Sequence, residues 1–290
     1  MKIVLHLHPE RLKVELVLFK LVNFLRSKGH QIYINSKDNT VFSDINLPKI
    51  QDARDYDGTD LVISIGGDGT FIGASRNLVG TDIPILGLHL GGLGFLAEVL
   101  VENFQEKLRE FFAGKYRTET RKILEAEVHF QKHEEKHYAI NDFLIHRSET
   151  MGMCTIDTYV DDDYLNTYRG DGLIISTPSG STAYNMSAGG PIVLPHLDIM
   201  TLTPVCPHSL SARPLIIGNN QLVTFNLESN HKKIDLDIDG QFKISLARVK
   251  KINIKISDKS LKVIRFKDYS FFRTLQTKLN WGVDKRNHKD

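Results

Sequence analysis

The chain has 290 residues, of which 25% are charged and 41% are hydrophobic, and its formal net charge is +2 at pH 7. This is the composition of an ordinary soluble globular protein, and the length is enough for a sizeable core and two domains. The small net charge gives no reason to expect a nucleic-acid partner or a membrane-surface partner.

The cysteines and the apolar segments indicate the cellular compartment in which the protein is expected to reside. The two cysteines, Cys154 and Cys206, make neither a disulfide framework nor a cysteine-based zinc site, and they fit a reducing cytosol. The first residues form a strand pattern and lack the basic and long apolar regions of a signal peptide. No apolar stretch approaches the length that spans a bilayer, so we expect a cytoplasmic protein.

The first part of the chain alternates strand and helix patterns. Strands are expected over 3–7, 31–34, 61–65 and 84–88, and helices over 12–25, 71–76 and 102–112. In the first helix the apolar residues at helical spacing are Leu12, Leu16, Phe19, Val22 and Leu25. This alternation predicts a Rossmann-like α/β domain over residues 1–116, with a parallel sheet covered on both faces.

The segment Gly66-Gly-Asp-Gly-Thr70 follows the third of these strands. Its glycines permit a sharp bend or the close approach of a ligand, and N–H groups at a turn that enters a helix suit a phosphate. We expect Asp68 or Thr70 to cap the helix. Because a carboxylate repels the anion that such amides attract, we interpret Asp68 as a group that takes a proton from, or orients, an attacking hydroxyl. An ordinary capping aspartate is the alternative, and GGDG alone is weak.

From about residue 117 the pattern becomes β-rich. Strands are expected over 123–130, 138–145, 153–160, 164–168, 173–176, 221–227, 234–238, 252–256 and 261–266. The turn Asp161-Asp-Asp163 predicts a hairpin. These runs predict a mainly antiparallel sandwich domain over residues 117–266. Apolar Phe271, Phe272, Leu275 and Leu279 predict a C-terminal helix within 267–290, which we expect to complete the first domain.

The second segment that indicates a binding site is the run from Tyr168 to Tyr184, which continues into Ser187-Ala-Gly-Gly-Pro-Ile192. Its loops are rich in Gly, Ser, Thr and Asp, and small hydroxyl side chains suit a purine or amide edge. Tyr184 offers a flat face for stacking on a ring, and Gly180 allows a positive φ. A sandwich loop full of turn residues is the alternative, although such loops are rarely this long without a function.

Together these segments resemble the NAD kinase family of the bacterial type. The similarity extends, in the expected order, to Gly91-Gly-Leu-Gly-Phe-Leu96, Asn141-Asp142, Thr203-Pro-Val-Cys-Pro-His208, Ser211-Ala-Arg-Pro214 and Asp239-Gly-Gln241. The resemblance implies transfer of a phosphoryl group from ATP to the 2′-hydroxyl of the adenosine ribose of NAD, which gives NADP. It also implies a dinucleotide site in the cleft between two domains and a homo-oligomer whose neighbouring subunits complete the site.

The resemblance further implies roles for single residues. Asp68 is expected to accept the proton of the 2′-hydroxyl and Gly69 to lie against the ligand. Asn141 and Asp142 match a pair that holds the adenine and the ribose diol. The other implied substrate-binding residues are Arg169, Asp171, Ser179, Thr182, Ala183, Tyr184, Asn185, Met186, Ser187, Cys206 and Gln241. The implied phosphate-binding residues are Gly66, Gly67, Gly69 and Thr70. Mg²⁺ or another divalent cation is expected with ATP, and no protein ligand to a metal is assigned.

Three positions depart from the family pattern. Asp142 stands where Glu is usual and therefore has a shorter reach. His89 stands where Asn is usual, and Ser179 replaces the more frequent Thr. Each substitution keeps nearly the same hydrogen-bonding class, so we interpret all three as tuning of the site.

A competing motif is His133-Glu-Glu-Lys-His137, which matches the HExxH pattern of zinc peptidases. That pattern binds a metal only on a helix, and here it lies between two strand patterns, which predicts a polar hairpin connection.

Cys206 lies between apolar and proline residues and is interpreted as a small packed side chain rather than a nucleophile. The remaining alternatives are another GGDG kinase, acting on a lipid or a sugar, and a sensor that binds NADP(H) without turnover.

Overall fold

The computed structural model describes residues 1–8, 11–35, 47–50, 53–92, 94–148, 153–227 and 234–281, with only the backbone described at 11–13. It divides into two compact units. The α/β unit contains the described residues of Met1–Leu78, Asp82–Glu119 and Lys262–Asp290, and the β-rich unit contains those of Val79–Thr81 and Thr120–Leu261. The part of the predicted C-terminal helix segment that covers 282–290 lies outside the described residues.

The secondary structure is numbered along the chain. The strands are β1 Lys2–Leu7, β2 Gln31–Asn35, β3 Lys49–Ile50, β4 Leu61–Gly66, β5 Pro84–His89, β6 Val99–Leu100, β7 Arg117–Phe130, β8 Glu134–Ala139, β9 Asp142–Arg147, β10 Cys154–Val160, β11 Asp163–Gly170, β12 Gly172–Ser176, β13 Ile199–Val205, β14 Leu215–Gly218, β15 Val223–Leu227, β16 Ile234–Ile238, β17 Phe242–Ser245 and β18 Val249–Arg265. The helices are α1 Arg11–Ser27, α2 Asp68–Ser75, α3 Phe104–Phe112, α4 Tyr184–Ser187 and α5 Phe271–Leu279. Within the described residues, no helix is long and apolar enough to cross a membrane.

The α/β unit is built on parallel strands in the order β3-β2-β1-β4-β5, and the end of β18 pairs in parallel with β5. Every residue of β4 is buried, as expected for a strand covered on both faces. Helix α5 belongs to this unit, where Phe271 packs against Phe95 with ring centroids 6.1 Å apart. The GGDG turn follows β4 directly, so Asp68 lies at the carboxyl end of a central parallel strand, where ligands of such sheets bind.

The β-rich unit contains an antiparallel sheet in the order β14-β13-β12-β9-β16-β17. Its other strands include the antiparallel series β11-β10-β15 with the first part of β18, and the pair β7 and β8. Side chains from both groups of strands, such as Phe143 and Phe225, share one hydrophobic core. The predicted fold class, an α/β part with a mainly antiparallel β-rich part, is confirmed.

The predicted hairpin at Asp161–Asp163 is also confirmed. Asp161 and Asp162 have φ values of 49° and 72°, and Val160 pairs with Asp163 across the turn. Two consecutive positive φ values match the two-residue turn whose twist fits antiparallel strands.

Several predicted strand boundaries are wrong. The single strand predicted over 138–145 is two strands, β8 and β9, which pair with different partners. Asp239 breaks it, because its carboxylate accepts the backbone N–H groups of Ile140, Asn141 and Asp142 in place of a strand ladder. Conversely, the strands predicted over 252–256 and 261–266 are one continuous strand, β18. Strands β3, β6, β13, β14 and β17 were not predicted.

The predicted core face of α1 is also partly wrong. Leu16 and Phe19 are 65% and 61% exposed, whereas Val14, Leu18 and Leu21 are fully buried. The helix carries apolar residues on most of its circumference, so two stripes have the correct spacing and periodicity alone does not choose between them. The side chain of Leu12 lies outside the described residues.

The two stripes of α1 can be compared by substitution. Leu18→Ala is expected to lower the free energy of unfolding by about 2–5 kcal/mol, because it leaves a cavity in the core of the α/β unit. Leu16→Ala removes the same atoms from an exposed position and is expected to change it by about 0.5 kcal/mol or less. Urea unfolding followed by circular dichroism measures both, and equal losses would contradict the burial assigned to α1.

Candidate functional site

The Asp68 carboxylate is held by a segment far along the chain. Its Oδ1 accepts the backbone N–H groups of Leu96 and Ala97, each at 3.0 Å, and its Oδ2 accepts that of Phe95 at 3.0 Å. A carboxylate has about four acceptor positions, so these bonds leave one on Oδ2. The side chain is fixed in direction and still able to accept one more hydrogen bond.

The predicted capping role of Asp68 or Thr70 is wrong. Asp68 is the first residue of α2, and the N-cap is Gly67, which has extended backbone and no side-chain capping bond among the described residues. The Asp68 carboxylate instead accepts the N–H groups of Phe95, Leu96 and Ala97. The phosphate contacts expected of Gly66, Gly67, Gly69 and Thr70 at the start of α2 therefore stay predictions.

Two glycines permit this packing by lacking a side chain. A Cβ on Gly94 would collide with Asp68 Oδ1 and with the carbonyl oxygen of Ala97. A Cβ on Gly66 would collide with the side chain of Thr70. Both positions require close approach rather than a left-handed backbone.

His89 lies beside the Asp68 segment at the end of β5. Its Nδ1 accepts the N–H of Gly91 at 3.0 Å. Burial lowers the pKa of His89, and the negative charge of Asp68 opposes that shift. His89 therefore offers a largely neutral ring at a position where the family usually has Asn.

In the β-rich unit, a second aspartate organises the backbone around Asn141 and Asp142. The Asp239 carboxylate accepts the N–H groups of Ile140, Asn141 and Asp142 at 3.3, 2.7 and 3.2 Å. Both predicted adenosine-binding side chains are buried. The side-chain Oδ1 of Asn141 has no hydrogen-bond partner among the described residues, so it is an acceptor available to a ligand.

The Asp142 carboxyl is buried near two other carboxylates, which disfavours its charged form. Burial raises the pKa of Asp142 to about 7, and the negative charges of Asp239 and Asp237 act in the same direction. A ligand that donates hydrogen bonds to this carboxylate would relieve that cost.

The loop after β12 also binds the backbone of Ile140 and Asn141, through their carbonyl groups. The Thr177 N–H donates to the Asn141 carbonyl at 2.8 Å, and Thr177 Oγ1 donates to the Ile140 carbonyl at 2.7 Å. Gly180 does not use the positive φ that a glycine allows. Gly180 is instead needed because a Cβ there would collide with the Asn141 carbonyl.

The predicted binding residue Asn185 is fully buried and its amide is committed to the protein. Its Oδ1 accepts the hydroxyls of Thr201 and Thr203 at 3.1 and 2.6 Å. Its Nδ2 donates to the carbonyls of Ser181 and Pro191 at 3.3 and 3.2 Å. These bonds use the whole hydrogen-bonding capacity of the amide, so the Asn185 side chain holds the loop rather than offering a free group.

A cavity of about 340 Å³ lies next to this loop, within the β-rich unit. Its walls include Arg147, Asp171, Tyr184 and Cys206, and Arg147 Nη2 lies 3.1 Å from Asp171 Oδ1. The interpretation of Cys206 as a packed side chain is wrong, because Cys206 is exposed. It has a φ of 45° and directly follows β13.

The remaining residues of the β-rich unit that were predicted to bind substrate are partly or fully exposed to solvent, except Ser179. Thr182, Ala183 and Met186 are half-buried, whereas Arg169, Ser187 and Gln241 are exposed. Ser179 is buried, and its hydroxyl accepts a bond from Arg121 at 3.5 Å. The sequence-based assignment missed Asp239, although its place before Gly240 in the Asp-Gly-Gln segment signals a special turn, and it missed Arg147.

The HExxH segment is not on a helix. Residues 134–137 lie on β8, and the hairpin turn occupies 131–133, so the connection is shorter than predicted. His133 and His137 both contact Glu135, at 2.9 and 3.1 Å. Among the described residues, no three His, Cys, Asp or Glu side chains are grouped so that they could hold one metal ion. The segment therefore lacks the geometry of a zinc peptidase.

Comparison with known families identifies both halves of the chain. Residues 23–116 match the family model of the ATP-NAD kinase N-terminal domain, and residues 140–266 match that of the ATP-NAD kinase C-terminal domain. An NAD kinase of Salmonella choleraesuis is 37% identical over 278 residues, which is 95% of this chain and 94% of the relative. An NAD kinase of Bacteroides fragilis is 40% identical over 235 residues, which is 81% of this chain and 80% of the relative.

Solved structures share the fold. A yeast NADH kinase complexed with NADH aligns with a TM-score of 0.90 and 22% identity, over 100% of this chain and 90% of the other. An NAD kinase from Archaeoglobus fulgidus in complex with ATP aligns with a TM-score of 0.76 and 22% identity, over 97% of this chain and 99% of the other.

The raised pKa of Asp142 predicts a pH dependence of stability. An acid whose pKa is about 7 when folded and 3.8 when unfolded binds an extra proton in the folded state between those values. The stability that Asp142 contributes therefore falls as the pH rises from about 4 to about 7 and then levels off. In thermal melts without nucleotide, the Tm of Asp142→Asn should therefore rise relative to that of the wild type between about pH 5 and pH 7, and the difference should stay level above that range.

Asp82→Asn is the control for this measurement. Asp82 is exposed, and its hydrogen bond to Lys262 lowers its pKa, so it does not titrate in that window. A constant Tm difference between Asp142→Asn and the wild type across the window would contradict the raised pKa.

Proposed function

The chain belongs to the NAD kinase family, and we propose that Asp68 receives the proton when the 2′-hydroxyl of the adenosine ribose of NAD attacks the γ-phosphorus of ATP. Family models cover most of the chain, and curated NAD kinases are 37–40% identical to it. It is an enzyme that phosphorylates NAD. The observation that supports the role of Asp68 is its carboxylate, fixed by the N–H groups of Phe95, Leu96 and Ala97 with one acceptor position left on Oδ2.

The proposed step can be written atom by atom. A bond forms between the ribose 2′-oxygen and the γ-phosphorus, and the bond from that phosphorus to the β–γ bridging oxygen breaks. The products are NADP and ADP, and the hydroxyl proton passes to Asp68 Oδ2. Because phosphoryl transfer is loose and the proton leaves late, a carboxylate of modest basicity suffices, and positioning of the hydroxyl supplies most of its effect.

Residues of the β-rich unit are proposed to hold the adenosine part of NAD. The unpartnered Asn141 Oδ1 can accept the exocyclic amino group of adenine. The Asp142 carboxylate can accept hydrogen bonds from the two ribose hydroxyls. Tyr184, which is 46% exposed beside the cavity, offers a ring face for stacking. The exposed Arg169 and Gln241 are proposed as further contacts.

A divalent cation is expected to accompany ATP, since Mg²⁺ in kinases is commonly held by substrate phosphates with one or two carboxylates. Among the described residues, no group of three acidic, histidine or cysteine side chains forms a ligand set of its own. We therefore assign no protein ligand to the ion and place no step on it. A bound cation would neutralise phosphate charge during the transfer. The cytoplasmic location and the homo-oligomer also stay predictions.

Asp68→Asn is expected to lower kcat by about 10²–10⁴-fold, because the amide keeps the size of the carboxylate but is a much poorer proton acceptor. Binding of NAD, measured by calorimetry, should change little. Asp82→Asn, an exposed aspartate in the same unit, serves as the control and should retain wild-type kcat. Formation of NADP from ATP and NAD is the assay, and wild-type kcat in Asp68→Asn would contradict the assignment.

Asp142→Ala should raise the KM for NAD by about tenfold, the effect expected for loss of a charged hydrogen-bond partner. The matched variant Asp142→Glu restores the family's usual residue and should keep the KM within about threefold. Steady-state kinetics with NAD as the varied substrate measures both. An unchanged KM in Asp142→Ala would remove Asp142 from the ribose site.

A further inference from the structure

A buried arginine lies behind the Asp68 site. Arg265, the last residue of β18, is 1% exposed. Its Nη1 donates to the carbonyl oxygen of Leu96 at 2.9 Å, and its Nη2 donates to that of Phe95 at 3.3 Å. Arg265 therefore binds the same segment that holds Asp68.

The two sets of bonds meet on shared peptide groups. The carbonyl of Phe95 and the N–H of Leu96 belong to one planar peptide, with Arg265 on its oxygen and Asp68 on its nitrogen. The next peptide, formed by the Leu96 carbonyl and the Ala97 N–H, is held in the same way. Since each peptide is rigid, the direction in which its N–H points at Asp68 is set by where its carbonyl points at Arg265.

Other groups fix the guanidinium itself. Glu98 Oε2 lies 3.1 Å from Arg265 Nη1, and Glu119 Oε2 lies 3.6 Å from its Nε. Glu98 Oε1 also accepts the N–H of Phe266 at 3.1 Å. The Tyr269 ring lies 4.2 Å from the guanidinium carbon. These contacts restrain the guanidinium with Nη1 and Nη2 directed at the two carbonyls.

We propose that Arg265 is a positioning residue for phosphoryl transfer, which fixes the Asp68 carboxylate through the two peptides between Phe95 and Ala97. This rests on the proposed role of Asp68. A buried ion pair such as Arg265–Glu98 contributes little net stability relative to apolar side chains, because both charges lose their hydration. The planar guanidinium presents its N–H donors in a fixed fork, so bonds to both carbonyls fix one direction for the group, whereas a lysine ammonium rotates and sets no such direction.

Arg265→Lys tests this directly. The lysine keeps a positive charge beside Glu98 but lacks the fixed fork of donors, so the peptides that bind Asp68 become freer to turn. The expected result is a fall in kcat of about 10²-fold with the KM for NAD changed less than about threefold, since a displacement of about 1 Å at a reacting group has that effect. Wild-type kcat in folded Arg265→Lys would overturn the proposal, as would a loss confined to KM.

Two controls separate positioning from loss of stability. Leu18→Ala destabilises the core of the same unit without touching the Asp68 segment, and at a temperature well below its Tm it should keep wild-type kcat. Lys262→Met removes an exposed ion pair with Asp82 from the same strand as Arg265 and should also keep wild-type kcat. If Leu18→Ala lost kcat as Arg265→Lys does, a general loss of stability would explain the effect and the proposal would fail.

A second measurement does not depend on catalysis. Hydrogen–deuterium exchange of a peptide that covers residues 94–98 should be faster in Arg265→Lys than in the wild type, and unchanged in Lys262→Met. If wild-type protein formed no NADP, the proposed function would fail, whereas the exchange result would still show whether Arg265 orders the segment that binds Asp68. Unchanged exchange in Arg265→Lys would overturn the positioning role whatever the activity.

Discussion

The structure depends on a repeated interaction in which one aspartate carboxylate accepts the N–H groups of three consecutive residues. Asp68 binds residues 95–97 in the α/β unit, and Asp239 binds residues 140–142 in the β-rich unit. Backbone amides that leave a regular strand must find other partners, and here a carboxylate satisfies three at once. Each unit therefore presents an irregular segment with a fixed shape beside a predicted functional residue. In the α/β unit, the carboxylate that binds the segment is itself the proposed proton acceptor.

Much of the fold could be predicted from local sequence. The alternation of strand and helix patterns predicts the α/β part, and the period-two runs predict the β-rich part. The Asp161–Asp163 turn predicts the hairpin. These features can be predicted because they depend on residues close in the chain. The turn at Asp68 was identified for the same reason. Its glycines, its carboxylate and the strand before it lie within a few residues of one another.

The features that sequence reasoning missed are set by distant contacts. Residues 138–145 have the pattern of one strand, and the break at Asn141 comes from Asp239, almost a hundred residues later. The amides that bind Asp68 and the arginine that orients them are equally remote in sequence. On α1, two apolar stripes satisfy the helical period, and only the sheet beneath decides that Leu18 rather than Leu16 is buried. Such partners leave no local pattern to detect.

The Asn185 side-chain amide, whose four hydrogen-bonding positions are all used within the protein, bears on the free energy of nucleotide binding. Because its four bonds connect the segment around α4 to β13 before any nucleotide arrives, that loop has little conformational freedom left to lose. Ordering of loops and side chains normally subtracts from the free energy of association. If nucleotide binds at this loop as proposed, that entropic loss is already met during folding, so contacts made there would contribute more of their free energy to affinity.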